Sequence, residues 1–308
     1  VSSKMKGNKK DAPLILVIGK DGQIGWELRR ALMPLGTVVA LDREKMDFTH
    51  PDSIIGTMRQ ISPDIIINAA AYTAVDQAEE EKDLVMQVNG IAPGILAEEA
   101  QKMGALMIHY STDYVFDGTK EAAYTESDVP CPINVYGATK LAGEKAIQST
   151  GADHLILRTS WVYCVRGHNF LLTMLRLMGE RESLRIVKDQ IGAPTWARLI
   201  SETTAQILKQ SLAERRAAIF QSGIYHLTSA GSTSWHGFAT MIESIMREKM
   251  AGDLLKIHEI EPVAAETYPT RAKRPLNSCM SIDKLEQHYN MRMPAWHLAL
   301  RLCMEELP

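Results

Sequence analysis

Tyr136 and Lys140 stand four residues apart in the run Tyr136-Gly137-Ala138-Thr139-Lys140. On a helix, positions i and i+4 share one face. An ammonium beside a phenol stabilises the phenolate and lowers the phenol pKa. A phenol tuned in this way can exchange a proton with a carbonyl oxygen near neutral pH. Ser111-Thr112 falls at the end of the preceding apolar run, where the Thr112 hydroxyl can reach the same oxygen and orient the carbonyl. The plainer alternatives are a cap or turn for Thr112 and an exposed amphipathic pair for Tyr136 and Lys140. Upstream lies Gly19-Lys20-Asp21-Gly22-Gln23-Ile24-Gly25. Gly19, Gly22 and Gly25 follow an apolar run and open a helical pattern, so their backbone N–H groups can approach a pyrophosphate. A dinucleotide bound there supplies hydride. One motif moves H⁻ and the other H⁺, which is the chemistry of carbonyl reduction or its reverse.

Asp42 ends the second apolar run, about 20 residues past the glycine turn, where an acid takes ribose hydroxyls. Arg43 follows it and suits a 2′-phosphate. NADPH and NADH both stay open on this pair, and an exposed turn is the plainer reading.

These residues need a scaffold. Leu14 to Ile18 is all apolar and reads as a buried parallel strand. A helix runs from Gln23 to about Met33, stopped by Pro34 and Gly36. Further strands are expected at Thr37–Leu41, Asp64–Ala70, Ala105–Tyr110, His154–Arg158, Leu184–Val187 and Gly223–Thr228. Helices are expected over 89–103 and 134–149, the latter carrying Tyr136 and Lys140. The alternation predicts an α/β fold, a Rossmann-type doubly wound parallel sheet. It fails beyond about Ser229, where helices near 235–250 and from 282 onward flank a loop rich in Pro and Thr. The expected division is a dinucleotide-binding domain over 12–165, completed by about 184–230. A smaller substrate lobe takes 166–183 and 231–308. The cleft between them takes the substrate. Residues 1–11 are polar and lysine-rich and read as a disordered leader.

A net charge of −3 gives no strong pull toward nucleic acid or an anionic membrane. No apolar run approaches the roughly 20 residues that span a bilayer. The cysteines at 131, 164, 279 and 303 form no CxxC pair, which argues against a zinc site and fits a reducing cytoplasm.

Longer segments carry a more specific signal: Asn68-Ala69-Ala70-Ala71-Tyr72-Thr73-Ala74-Val75-Asp76, His109-Tyr110-Ser111-Thr112-Asp113-Tyr114-Val115-Phe116, Asn134 to Glu144, Arg158 to Tyr163 and Asp189 to Thr195. With the glycine turn, they make the chain resemble the extended short-chain dehydrogenases/reductases, and within them the dTDP-4-dehydrorhamnose reductases. The resemblance runs from about Leu14 to the C-terminus. It implies reduction of the C4 ketone of dTDP-4-dehydro-β-L-rhamnose, with a nucleotide sugar as the small-molecule partner and a monomer or homodimer. It implies Tyr136 as proton donor, Lys140 on the nicotinamide ribose and Thr112 on the ketone. It places Gln23 and Ile24 at the pyrophosphate, Asp42 at the adenosine ribose, and Asp47 with Phe48 at the adenine. Ala70, Ala71, Tyr72 and Thr73 line the cofactor. Asp113 and Trp161 touch the sugar, and Arg274 faces the nucleotide diphosphate. Some members bridge subunits through Mg²⁺ held by two carboxylates, the first in Trp-Glu-Leu. Here Glu27 is present, but Arg198 stands where the second would lie, which argues against bound Mg²⁺.

Two rivals share the fold. Nucleotide-sugar dehydratases place Asp-Glu after the central-strand Thr, whereas here Thr112-Asp113 is followed by Tyr114. Epimerases retain their cofactor with no net turnover. A non-catalytic rival is a binding module like the regulatory subunit of methionine adenosyltransferase. Intact Thr112, Tyr136 and Lys140 favour an enzyme.

Overall fold

The computed structural model describes residues 12–249 and 255–307, so the expected leader at 1–11 lies outside the described residues. The chain runs β1 (Leu14–Ile18), α1 (Gln23–Ala31), β2 (Thr37–Leu41), α2 (Pro51–Ile61) and β3 (Ile65–Asn68). Short helices α3 (Val75–Ala78) and α4 (Lys82–Met86) lead through a π-helical turn at Gln87–Ile91 into α5 (Ala92–Met103). Then come β4 (Leu106–Thr112), α6 (Val135–Ser149), β5 (His154–Thr159), β6 (Val162–Tyr163) and α7 (Phe170–Glu180). The rest is β7 (Ser183–Val187), β8 (Ile191–Gly192), β9 (Thr195–Trp196), α8 (Ala197–Arg216), β10 (Gly223–His226), β11 (Thr233–Ser234), α9 (Trp235–Lys249), β12 (Glu259–Val263), α10 (Asp283–Tyr289) and α11 (Trp296–Glu305).

Six strands form one parallel sheet in the order β10-β5-β4-β3-β1-β2. The central strands β3, β4 and β5 are buried along their whole length, as a covered parallel sheet requires. Ile15, Val17, Ile65, Ile67, Leu155 and Leu157 pack with Leu28 of α1 and Ile200 and Ile207 of α8. Leu16, Ile18, Ile66, Met107 and Ile156 pack with Ile54 of α2, Leu96 of α5 and Ile147 of α6. The strand order reverses between β1 and β3, and a ligand crevice belongs beyond the carboxyl ends of the strands at such a switch. The parallel α/β Rossmann-type expectation holds.

The strand expected at 184–187 forms, but outside this sheet. β7 pairs with β12 in a separate two-stranded parallel ribbon. A second core surrounds it, built from Leu171, Met174, Met178, Leu184, Phe238, Ile242, Trp296 and Leu300. The C-terminal helical stretch is broken at Asn290, which takes a left-handed conformation (φ 47°) and caps α10. Among the described residues, no helix is long and apolar enough to cross a membrane.

Candidate active site

The turn after β1 is shaped by its glycines. Gly19 sits at φ +88°, and a β-carbon there would fall 2.7 Å from the Ala70 nitrogen. Gly19 and Lys20 donate their N–H groups to the Leu41 carbonyl at 2.9 and 3.0 Å, which ties the turn to the end of β2. Gly22 differs: a β-carbon there would meet only the Gly19 oxygen at an ordinary 3.4 Å, so packing within the protein does not require glycine. Gly22 is the N-cap of α1 and no side chain caps that terminus, leaving first-turn N–H groups for an anion. A cleft of about 260 Å³ opens there, lined by Gly19, Gly22, Asp42, Arg43, Asp47, Phe48, Ala70, Ala71 and Tyr72. All of these come from the carboxyl ends of β1, β2 and β3. The cleft suits the adenosine end of a dinucleotide, with backbone donors at the turn and Phe48 as an apolar wall.

Not every expected cofactor residue lines it. Gln23 turns its amide toward β6 and α7, donating to the Val162 carbonyl at 3.3 Å and accepting from Asn169 at 2.9 Å. Ile24 packs into both cores. Gly25 packs against the Gly19 carbonyl, where a β-carbon would fall 2.0 Å away. Thr73 is exposed and outside the cleft. Lys20, which the sequence reading passed over, pairs with Asp42 at 2.5 Å. That ion pair holds the Asp42 carboxyl below its usual range. Arg43 and Lys20 thus flank the same acid, and a 2′-phosphate has two cations to draw on. Arg43→Ala is expected to raise KM for NADPH several-fold more than for NADH. Steady-state kinetics with each cofactor test this, and equal changes would show that Arg43 does not meet the 2′-phosphate.

Tyr136 and Lys140 occupy the start of α6, as the spacing predicts. Asn134 caps the helix by accepting from the Gly137 N–H at 2.7 Å, and its own amide donates to the Lys273 carbonyl at 2.8 Å. Gly137 is a close-approach position, since a β-carbon would fall 2.1 Å from the Tyr114 oxygen. This seats the Tyr136 ring edge-on to Tyr114, with centroids 5.8 Å apart. Burial pushes the Tyr136 phenol up to about 12, an effect that the nearby Thr112 hydroxyl partly offsets. Lys140 does not lower it here. The lysine points the other way, donating to the Tyr110 carbonyl at 2.6 Å and meeting His109 Nε2 at 3.2 Å. Burial brings the Lys140 ammonium down to about 8, against the opposing pull of Glu144. In this arrangement the Lys140 head is bonded to Tyr110 and His109, and burial is the leading influence on both groups.

Thr112 ends β4 and acts as the turn cap. It accepts from the Tyr114 N–H at 3.1 Å, as a turn cap, and donates to Asp113 Oδ1 at 3.0 Å. Asp113 is buried, and its Oδ2 has no hydrogen-bond partner. Burial raises its carboxyl to about 7 despite contacts from Ser278 and Thr112.

Next to this group lies a larger cavity of about 560 Å³, lined by Leu177, Arg181, Arg185, Gln190, Trp235, Tyr268 and Arg274 among others. Arg274 is held by Asp76 at 2.8 Å and also meets Tyr114. Trp161 sits at φ +46°, unusual for a bulky residue, and stacks on Trp235 with centroids 3.5 Å apart. It is half-buried rather than part of a closed core. Trp161→Ala is expected to raise KM for the sugar substrate several-fold, while destabilising the protein by less than the roughly 3–5 kcal/mol of a fully buried tryptophan. Thermal melts and kinetics check this. A large fall in melting temperature with unchanged KM would assign Trp161 to packing alone. Arg185, Gln190, Trp235 and Tyr268 were not singled out from the sequence. Only Gln190, inside the Asp189-to-Thr195 segment, carried a signal.

Glu27 is buried and held by Arg30 at 2.5 Å and Arg198 at 3.2 Å within the same chain; Arg198 also pairs with Glu306. Among the described residues, no group of three or more His, Cys, Asp or Glu side chains could hold a metal ion.

Residues 13–308 match the family model described as RmlD substrate binding domain. A dTDP-4-dehydrorhamnose reductase of Burkholderia thailandensis is 49% identical over 293 residues, covering 95% of this chain and 98% of that protein. The enzyme of the same description from Escherichia coli K12 is 44% identical, covering 95% and 97%. The solved structure of dTDP-4-dehydrorhamnose reductase from Bacillus anthracis in complex with NADP superposes with a TM-score of 0.85 at 34% identity, covering 96% and 99%. A UDP-glucose 4-epimerase of Thermus thermophilus, 20% identical with a TM-score of 0.75, shares the fold alone. With a cleft at the glycine turn, Thr112, Tyr136 and Lys140 in place and relatives alike along nearly their whole length, the chain belongs to the dTDP-4-dehydrorhamnose reductase family.

Proposed function

We propose that this chain reduces the C4 ketone of dTDP-4-dehydro-β-L-rhamnose to dTDP-L-rhamnose with NADPH or NADH. The observation that supports this reading is the Thr112 hydroxyl beside the Tyr136 phenol at the carboxyl end of β4, with Lys140 one turn further along α6. The bound nicotinamide cofactor supplies hydride. The chain supplies the rest. Thr112 orients the ketone oxygen, and Tyr136 delivers a proton to it. At neutral pH a phenol near 12 is fully protonated, so the acid is loaded before the substrate arrives. Transfer leaves a phenolate, and a charged Lys140 turned toward it lowers the energy of that anion. Asp113 presents an unpaired carboxylate oxygen to a sugar hydroxyl. Arg274 and Arg185 give the second cavity the charge a diphosphate needs, and Trp235 and Tyr268 give it stacking faces. Four cysteines that form no disulfide support a cytoplasmic location.

Tyr114 occupies the place of a dehydratase glutamate, so no acid–base pair for elimination is present there. A reductase consumes cofactor and an epimerase does not. With enzyme far below substrate, NADPH absorbance is expected to fall until one equivalent per sugar is gone. Conversion of the sugar nucleotide without loss of absorbance would favour an epimerase, and no change in either would favour a binding module.

A further inference from the structure

Asn68, His109 and Lys140 form a buried line across β3, β4 and α6, and the hydrogen bonds along it have only one consistent direction. Asn68 and His109 are register partners on adjacent strands. All three side chains are almost wholly buried. The Ala70 backbone N–H lies 3.1 Å from Asn68 Oδ1. A backbone N–H can only donate, so the amide oxygen is fixed on that side. The Asn68 Nδ2 group then faces His109 Nδ1 at 3.1 Å. An amide NH₂ can only donate, so Nδ1 must be bare. A neutral imidazole with a bare Nδ1 carries its proton on Nε2. That N–H points at Lys140 Nζ, 3.2 Å away. An ammonium has no lone pair with which to accept it. The uncharged amine does: it accepts from His109 and donates to the Tyr110 carbonyl at 2.6 Å.

We propose that His109 is a positioning residue that disfavours the charged form of Lys140 and so lowers its proton affinity in the cofactor-free protein, and that Lys140 regains that affinity, taking any missing proton from solvent, when it leaves His109 for its cofactor-facing position. The change forms one N–H bond and needs no other reactant. Charging Lys140 in place would require His109 to move its proton to Nδ1 and Asn68 to flip. The flip breaks the Ala70 hydrogen bond, and Ala70 lines the dinucleotide cleft. The charge state of Lys140 is therefore tied to the cofactor-facing loop after β3. Several groups face this lysine or act on it. From β4 there are His109 and the Tyr110 carbonyl. From α6 there are Tyr136 and Glu144, and Glu144 is neutralised by Arg158 of β5 at 2.6 Å. Asp113 acts on Tyr136 rather than on the lysine. Burial favours the neutral lysine, whereas Glu144 favours the charged one. Burial above all holds the imidazole well below its usual range, so His109 stays neutral through the physiological range.

The inference deepens the reductase reading, but its test does not need turnover. In the cofactor-free protein with ¹³C-labelled lysine, the Lys140 signal, assigned by its loss in Lys140→Met, is expected to titrate below the usual lysine range. In His109→Gln, where an amide oxygen can face an ammonium, it is expected to titrate about one pH unit higher or more, a tenfold rise in proton affinity. Unchanged titration would overturn the proposal. A second measurement needs no variant to fold: two-bond ¹⁵N–¹H spectra of the wild-type histidines are expected to show His109 as the Nε2–H tautomer. The Nδ1–H tautomer would overturn it equally. The catalytic consequence follows in sign. Charged Lys140 supports the phenolate and exists below its pKa, so kcat/KM falls as pH rises through about 8 in the wild type, and that limb moves upward in His109→Gln.

Discussion

Tyr136→Phe is expected to lower kcat by roughly 10²- to 10⁴-fold, the scale of lost acid catalysis, while fold and cofactor binding persist. The substitution removes one oxygen and keeps the ring that packs against Tyr114. The phenol touches the Thr112 hydroxyl but anchors no backbone, so stability should change little. Thr112 keeps its bonds to the Tyr114 N–H and to Asp113, so the end of β4 stays in place. The loss should therefore appear in kcat, with KM nearly unchanged, because the proton is transferred only in the transition state. Circular dichroism, cofactor titration and steady-state rates on one preparation separate these effects. Near-normal turnover by the folded variant would remove Tyr136 from the acid role.

Asp113→Asn is expected to make the protein more stable and a poorer enzyme. The Asp113 carboxyl rises from an ordinary 3.8 to about 7 because it is buried, and one of its oxygens has no partner. The folded state thus holds a proton that the unfolded chain has already released between these values. Stability then falls as pH climbs from about 4 to about 7 and is level above that. The shift is roughly three units, so the loss is on the order of 4 kcal/mol at neutral pH and above. Asparagine cannot ionise and removes that slope. Melting temperatures should diverge between variant and wild type from pH 4 to 8, with the variant higher at pH 8. Matching curves would mean that Asp113 is not desolvated. In the enzyme, KM for the sugar nucleotide should rise, because the unpaired oxygen is the feature that a sugar hydroxyl satisfies. Keeping a destabilising carboxylate at a functional site is a familiar trade between stability and activity.

Much of the scaffold was legible because a buried parallel strand is written as an unbroken apolar run. Leu14 to Ile18 and Ile65 to Ile67 read directly, and the four-residue spacing of Tyr136 and Lys140 fixed their shared place on α6. Strand membership was less legible. Ser183-Leu184-Arg185-Ile186-Val187 is apolar enough for a strand, yet its alternation leaves Ser183 and Arg185 exposed. That pattern marks a one-sided ribbon strand rather than a member of a sheet covered on both faces. The left-handed backbone at Trp161 has no local signature, since neither glycine nor asparagine announces it. The partners of Lys140 were hidden for another reason. His109 lies thirty-one residues earlier, and only the register of β3 against β4, with α6 laid across them, brings Asn68, His109 and Lys140 into line. The i,i+4 spacing correctly paired Tyr136 with Lys140 on one helix. It could not show that the lysine head turns to the strand behind it.

The central claim is that this site reduces one ketone to one alcohol of defined stereochemistry. The most direct measurement combines the purified chain, NADPH and dTDP-4-dehydro-β-L-rhamnose and follows the product by NMR. dTDP-L-rhamnose is expected as the sole product, formed in step with one NADPH oxidised per sugar. Recovery of the 4-keto sugar with NADPH intact, or formation of the C4 epimer instead, would contradict it.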